Sequence, residues 1–159
     1  IIDGAQSQSE TQAKQFWRLR EDITESLSRF SPYKNDVAVA IHKVPDFITE
    51  LDQTLKSSYP TWDVVWFGHI GDGNLHISIL RPKELNKEQF VQACRKVDEM
   101  VFSIVAKYEG SISAEHGVGL TKKMFLHHTR SPAEIQYLKS IKKIFDPDLI
   151  INPGKLFDF

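Results

Sequence analysis

The chain is short of what would fix its structure or address from outside. It holds one cysteine, Cys94, among 159 residues, so no intrachain disulfide framework exists. A reducing, intracellular setting fits this, and the expected location is cytoplasmic, with membrane-peripheral or mitochondrial placement as alternatives. No apolar run approaches the roughly 20 residues that span a bilayer, and no secretory signal is visible. Charge of one sign is also lacking. The net charge is −1, so no global field draws nucleic acid or an acidic membrane. Internal repeats and low-complexity segments are absent. There is no initiator Met; the opening Ile1-Ile2-Asp3-Gly4 reads as part of a longer chain.

What is present is a hydrophobic content of 41%, expected of a globular domain with its own core. Apolar residues at helical spacing predict a helix over Glu10–Phe30, broken by Ser31-Pro32. A strand is expected over Asp36–His42, then a helix carrying Val44, Phe47, Ile48, Leu51 and Leu55. Trp62–Ile70 and Leu75–Leu80 read as two arms of a hairpin. Asn86 caps a long helix with Phe90, Cys94, Val97, Val101, Ile104 and Tyr108 on its apolar side, ended by Glu109-Gly110. Ser111–Glu115 reads as a short strand, Ser131–Phe145 as a final helix, and Asn152-Pro153-Gly154-Lys155 as a turn. From Asp36 to Glu115 this is the order βαββαβ. The expected fold class is therefore α+β, a ferredoxin-like antiparallel sheet with helices on one face and further helices at each end. The expected parts are a leading helix (10–30), a ferredoxin-like core (35–116) and a C-terminal helical segment (117–159).

The stretch Phe67-Gly68-His69-Ile70-Gly71-Asp72-Gly73-Asn74-Leu75-His76 carries the sharpest geometric expectation. A two-residue type I′ turn at Asp72-Gly73, with positive φ at both residues, predicts the pairs Gly71–Asn74, Ile70–Leu75 and His69–His76. Opposed side chains stand roughly 4.5–5.5 Å apart at Cβ, a spacing that lets two imidazoles share a metal ion. The competing reading is a turn flanked by solvated histidines. Phe67 and Ser78 fall on the same face.

A second constellation is Ser113-Ala114-Glu115-His116-Gly117-Val118-Gly119. Glu115 can serve as a third, anionic ligand, since two His and one Glu hold a catalytic metal while leaving positions open. His116 is suited to act as general base rather than ligand. The plain alternative is a polar exit from a strand. In an ideal ferredoxin-like sheet, Glu115 reaches the histidines only early in the fourth strand or if that strand is displaced. A third set is basic: Arg20 and Thr24, four apart on one expected helix face, and Lys34. Arg grips carboxylates bidentately and Lys adds a point charge; solvated surface residues are the alternative. His127-His128 and Lys122-Lys123 read as surface, and Cys94 as core. Gly71-x-Gly73 is no dinucleotide fingerprint, because no helix follows it.

Three ordered motifs together carry a resemblance. Gly68–His76, Ser113–Gly119, and Asp146-Pro147 followed by Asn152–Lys155 are similar to the C-terminal part of FAD-linked 2-hydroxy acid dehydrogenases of the vanillyl-alcohol oxidase type. Trp17–Glu25 and Tyr33–Asp36 extend the likeness, which covers the chain from about Phe16 onward. The resemblance implies a divalent metal, zinc by expectation, on His69, His76 and Glu115, and His116 as base. It also implies that Arg20, Thr24 and Lys34 hold a substrate carboxylate. The family often has Asn where this chain has Ser78, which puts a shorter side chain into a substrate contact. Asn152 and Lys155 are candidates for flavin contacts. FAD itself would be bound mostly by a preceding N-terminal domain, so the fragment alone is expected to be inactive. Expected partners are a small 2-hydroxy acid, that N-terminal domain, an electron acceptor and, as an option, a second copy of the chain. The candidate acids are D-2-hydroxyglutarate, D-lactate, D-malate and glycolate, the first favoured. The rival functions are a metal hydrolase and a non-catalytic binding module.

Overall fold

Local sequence signals account for most helices in the computed structural model, which describes residues 2–159. The chain divides into two units, residues 1–32 and 33–159.

In the first unit, α1 (Glu10–Glu21) starts at Ser9, whose hydroxyl accepts the Gln12 N–H, and α2 (Ile23–Ser28) follows directly. The single helix expected over Glu10–Phe30 is thus broken at Asp22. There the backbone leaves helical geometry (φ −80°, ψ 4°), while the Asp22 carboxylate takes Arg18 Nε at 3.1 Å. A short acidic side chain that finds a local partner favours a helix end over a helix interior. Neither helix has a buried residue.

The second unit opens with β1 (Tyr33–Ala38), then a 3-10 turn (Ile41–Lys43) leading into α3 (Val44–Ser58). The strand expected over Asp36–His42 therefore begins earlier and stops at Ala38. The polar run Tyr33–Asp36 is strand because tertiary partners satisfy it: Asn35 and Asp36 are 4% and 1% exposed and both are hydrogen-bonded. The hairpin strands are β2 (Val64–His69) and β3 (Asn74–Ile79). α4 (Lys87–Lys107) carries the predicted Asn86 cap, completed by a reciprocal bond from Gln89. A 3-10 segment (Lys123–His128) and α5 (Pro132–Phe145), capped by Ser131 with Glu134, complete the unit. No helix among the described residues is long and apolar enough to cross a membrane.

The fold is α+β. Its antiparallel sheet has the order β1-β3-β2. Val37, Leu75, Ile77 and Ile79 project from one face into a core shared with Phe47 and Leu51 of α3 and Phe90, Val97 and Val101 of α4. Burying such side chains contributes roughly 1.5–3 kcal/mol each. The expected fourth strand, Ser111–Glu115, is reduced to one antiparallel bridge between Ser111 and Ala38, at the β1 edge. Its backbone is diverted to side-chain partners. The Ile112 N–H donates to Thr129 Oγ1, the Ser111 hydroxyl donates to the Ser113 carbonyl, and the next three N–H groups donate to Asp36. The chain therefore leaves the β1 edge at the point where it carries Glu115 and His116.

Candidate active site

The sheet face away from the helices follows from the register. Lys34 and Asp36 on β1 stand beside Ser78 and His76 on β3, and those stand beside Val65 and Phe67 on β2; His69 stands beside Asn74. The predicted direct pairing of His69 with His76 is wrong. Four residues, Ile70–Gly73, connect the strands, so His69 pairs with Asn74 and His76 with Phe67. A type I′ turn needs positive φ at both Asp72 and Gly73, and only Gly73 has it (φ 71°). Asp72 instead accepts the Asn74 N–H at 3.0 Å, and its own N–H reaches the His69 carbonyl at 3.3 Å. The register moves by two residues, an even number, so both histidines keep the same face. They become diagonal neighbours, with ring centroids 6.0 Å apart at 84°.

The diverted loop brings in Glu115 and His116. Glu115 Oε1 lies 3.5 Å from His76 Nε2 and 3.5 Å from His116 Nε2. The His76 ring stacks on His116 at 5.6 Å and leans on Phe67 at 5.0 Å. Burial holds the His76 imidazole below its ordinary pKa, with His116 and His69 adding to the effect and the Glu115 and Asp36 carboxylates opposing it. His76 is thus neutral near pH 7, the form that can ligate a metal. Among the described residues, the ligand atoms of His76, Glu115 and His116 all lie within 4.8 Å of one another. Tetrahedral coordination with bonds of about 2.1 Å places ligand atoms about 3.4 Å apart. The two separations from Glu115, 3.5 Å each, match that spacing.

Holding this loop is a pair that sequence reasoning missed. Asp36 Oδ2 accepts the N–H groups of Ala114, Glu115 and His116 at 3.0, 2.9 and 2.9 Å. Lys122 Nζ donates to Asp36 Oδ1 at 2.5 Å, to the Asp36 carbonyl at 2.9 Å and to the Ile112 carbonyl at 2.8 Å. Lys122, read as solvated, is 8% exposed. Burial alone would raise the Asp36 pKa, but the Lys122 and backbone hydrogen bonds outweigh it and bring the carboxyl down to about 2. No local signal marks this pair, because its members lie 86 positions apart. A clue was available only in the strand: an acidic residue on the histidine face needs a partner if it is buried.

The other candidates fall as follows. Lys34 is exposed beside Ser78, whose buried hydroxyl oxygen has no hydrogen-bond partner. Arg20 and Thr24 belong to the N-terminal unit, on α1 and α2, so the break at Asp22 removes the expected common helix face. Asn152 and Lys155 are exposed in a turn closed by the Lys155 N–H to the Asn152 carbonyl, and the adjoining Leu156 N–H donates to the Gly119 carbonyl at 3.0 Å. Cys94 is core, as expected. His127 is exposed, while His128 is partly buried against Phe125.

Comparison with known proteins resolves the family. Residues 1–156 match the family described as FAD linked oxidases, C-terminal domain. The chain belongs to that family. The D-2-hydroxyglutarate dehydrogenase of Stutzerimonas stutzeri (strain A1501) is 53% identical over 99% of the chain and 34% of its own length. The protein of the same name from Xanthomonas citri pv. viticola is 52% identical over the same shares. The mitochondrial D-2-hydroxyglutarate dehydrogenase of Arabidopsis thaliana is 34% identical over 98% of the chain and 27% of its own length. This FAD-linked oxidase domain thus spans about a third of the two bacterial relatives (34%), and its family implies FAD as cofactor.

Proposed function

We propose that this domain supplies the substrate and metal half of an active site that oxidises a D-2-hydroxy acid, D-2-hydroxyglutarate by preference, to the 2-oxo acid. The observation that carries the reading is the cluster of His76, Glu115 and His116 on one sheet face of a family domain whose relatives bear that name. His76 and Glu115 would hold a divalent ion, zinc by expectation, with His69 as the third ligand. When bound, the ion would polarise the C1 carboxylate and C2 hydroxyl of the substrate, and FAD in the N-terminal domain would take up the hydride before passing electrons to an acceptor.

The chain's own residues do the rest. His116 receives the hydroxyl proton. Lys34 adds positive charge for the distal carboxylate and Ser78 a hydroxyl donor; Arg20 and Thr24 are assigned to the same carboxylate on sequence resemblance. Fixing both ends of a short diacid orients its reacting carbon. Asn152 and Lys155 are assigned to the flavin on the same basis.

A second ligand set has an observation in its favour, because His116 Nε2 already lies 3.5 Å from Glu115. Metal content separates the two. If His69 is a ligand, His69→Asn loses bound metal while His116→Gln keeps it; the reverse result makes His116 the ligand and rejects it as base. The reading as a whole is tested by anaerobic flavin bleaching of the full-length protein with D-2-hydroxy acids, with and without chelator. Rapid bleaching by D-2-hydroxyglutarate that chelator abolishes is the expected result. Bleaching by D-lactate alone rejects the assignment of Arg20, Thr24 and Lys34. Bleaching indifferent to chelator rejects the metal, and no bleaching by any acid rejects the dehydrogenase.

A further inference from the structure

The His116 ring offers two nitrogens, and the site can use one. Nε2 faces Glu115 on the side where His76 stacks. Nδ1 faces Asp36 Oδ1 at 3.4 Å. That separation is longer than a normal hydrogen bond, and contacts of this kind are commonly loose before substrate arrives. Asp36 is built in rather than incidental. It is 1% exposed, Lys122 holds one oxygen, and the other accepts three consecutive loop N–H groups, including that of His116 itself. Each ring nitrogen thus has a carboxylate near it, but that of Asp36 is buried and anchored whereas the Glu115 side chain is 47% exposed. The fixed carboxylate beside Nδ1 favours the tautomer that carries its proton there, and it orients the ring.

We propose that Asp36, anchored by Lys122, is a positioning residue for His116: it pins the loop by its backbone and keeps the ring proton on Nδ1, so that the lone pair of Nε2 is presented to the substrate. This rests on His116 acting as the base and names the atom that does so. Proton balance is simple. The hydroxyl proton passes to Nε2, leaving a doubly protonated ring whose Nδ1–H points at a carboxylate.

The test uses the full-length protein. Asp36→Asn/Lys122→Met exchanges a buried ion pair for a neutral pair, avoiding an unpaired buried charge at the cost of the Lys122 bonds to the Asp36 and Ile112 carbonyls. The new amide oxygen still accepts from the loop, while its NH₂ donates toward Nδ1 and drives the ring proton to Nε2. The expected result is a swap of the His116 tautomer from Nδ1–H to Nε2–H, read by ¹⁵N NMR without substrate. With it, kcat falls by about 100-fold or more while KM changes little. The fall should vanish in a His116→Gln background, since the two changes act through one group. An Nε2–H tautomer in the parent protein overturns the proposal, even if the double variant does not fold. So does a loss of kcat that persists unchanged beside His116→Gln. A His116→Gln variant with full turnover sinks the base assignment instead, and the tautomer measurement still decides the role of Asp36.

Discussion

Strand β1 sits between two buried carboxylates that meet opposite fates. Asp36, carried by β1, faces the candidate site; Asp98 projects from α4 toward the opposite face of the strand, where Tyr33 Oη donates to it at 2.5 Å and Asn35 Nδ2 at 2.8 Å. Both are nearly sealed, at 1% and 5% exposed. The carboxyl of Asp36 is nevertheless pushed down, to about 2, while burial pushes that of Asp98 up. Direct bonding makes the difference. Asp36 holds an ammonium and three backbone N–H groups, whereas the hydrogen-bond donors of Asp98 are neutral and Lys122 and Arg95 reach it only through space. Burial alone does not set charge; the donor set does. One carboxylate stays ionised and organises a loop, and the other trends toward the neutral form and ties a strand to a helix.

The strongest way to break this contrast is Lys122→Met. It leaves Asp36 buried without its cation and should cost about 3–5 kcal/mol of stability, measured by urea unfolding. The adjacent Lys123→Met, which loses the exposed Asp158 and an exposed bond to the Gly154 carbonyl, should move the midpoint far less. If the two variants behave alike, the buried pair is not the anchor described above.

A smaller effect is expected on the other side of the strand. Tyr33→Phe removes one of two neutral donors to Asp98 and should cost about 1–2 kcal/mol. A cost as large as that of Lys122→Met would mean that the two networks are energetically alike.

The smallest effect is a trend with pH, and it sharpens the contrast most. For Asp98 the folded pKa lies above the unfolded value of about 3.9. Its contribution is therefore complete below that value and is lost as pH rises through the folded pKa. Asp98→Asn removes the titration, so its stability relative to the parent should improve from acid toward neutral pH and then level off. For Asp36 the sign is reversed. Its contribution is complete above the unfolded value and lost as pH falls toward about 2. A flat difference between Asp98→Asn and the parent from pH 3 to 8 would show that Asp98 does not titrate differently on folding.

What could be read from the residues in order was whatever is encoded locally. Asn86 and Gln89, or Ser131 and Glu134, announce helix starts within four positions, and the apolar spacing of Phe47, Leu51 and Leu55 announces a buried helix face. The shared face of His69 and His76 was legible for the same reason. Their exact partners were not, because Asp72 closes a longer turn with its own carboxylate. Least legible were the features made by distant groups: the strand character of Asn35 and Asp36, the dissolved fourth strand, and the burial of Lys122. Each depends on a partner more than 60 positions away, and no window along the chain contains both members.

The alternation of β2 and β3 has a consequence for how this hairpin can vary among homologues. Length changes inside its arms are felt by parity. Deleting Gly68 would turn His69 toward the helices and empty its place, while deleting a second β2 residue with it would keep the chemistry on its side of the sheet. The Ile70–Gly73 connection is free of that rule, since length gained there is taken up outside the ladder. Natural insertions in this hairpin should therefore gather at its tip, and those found within its arms should come in pairs.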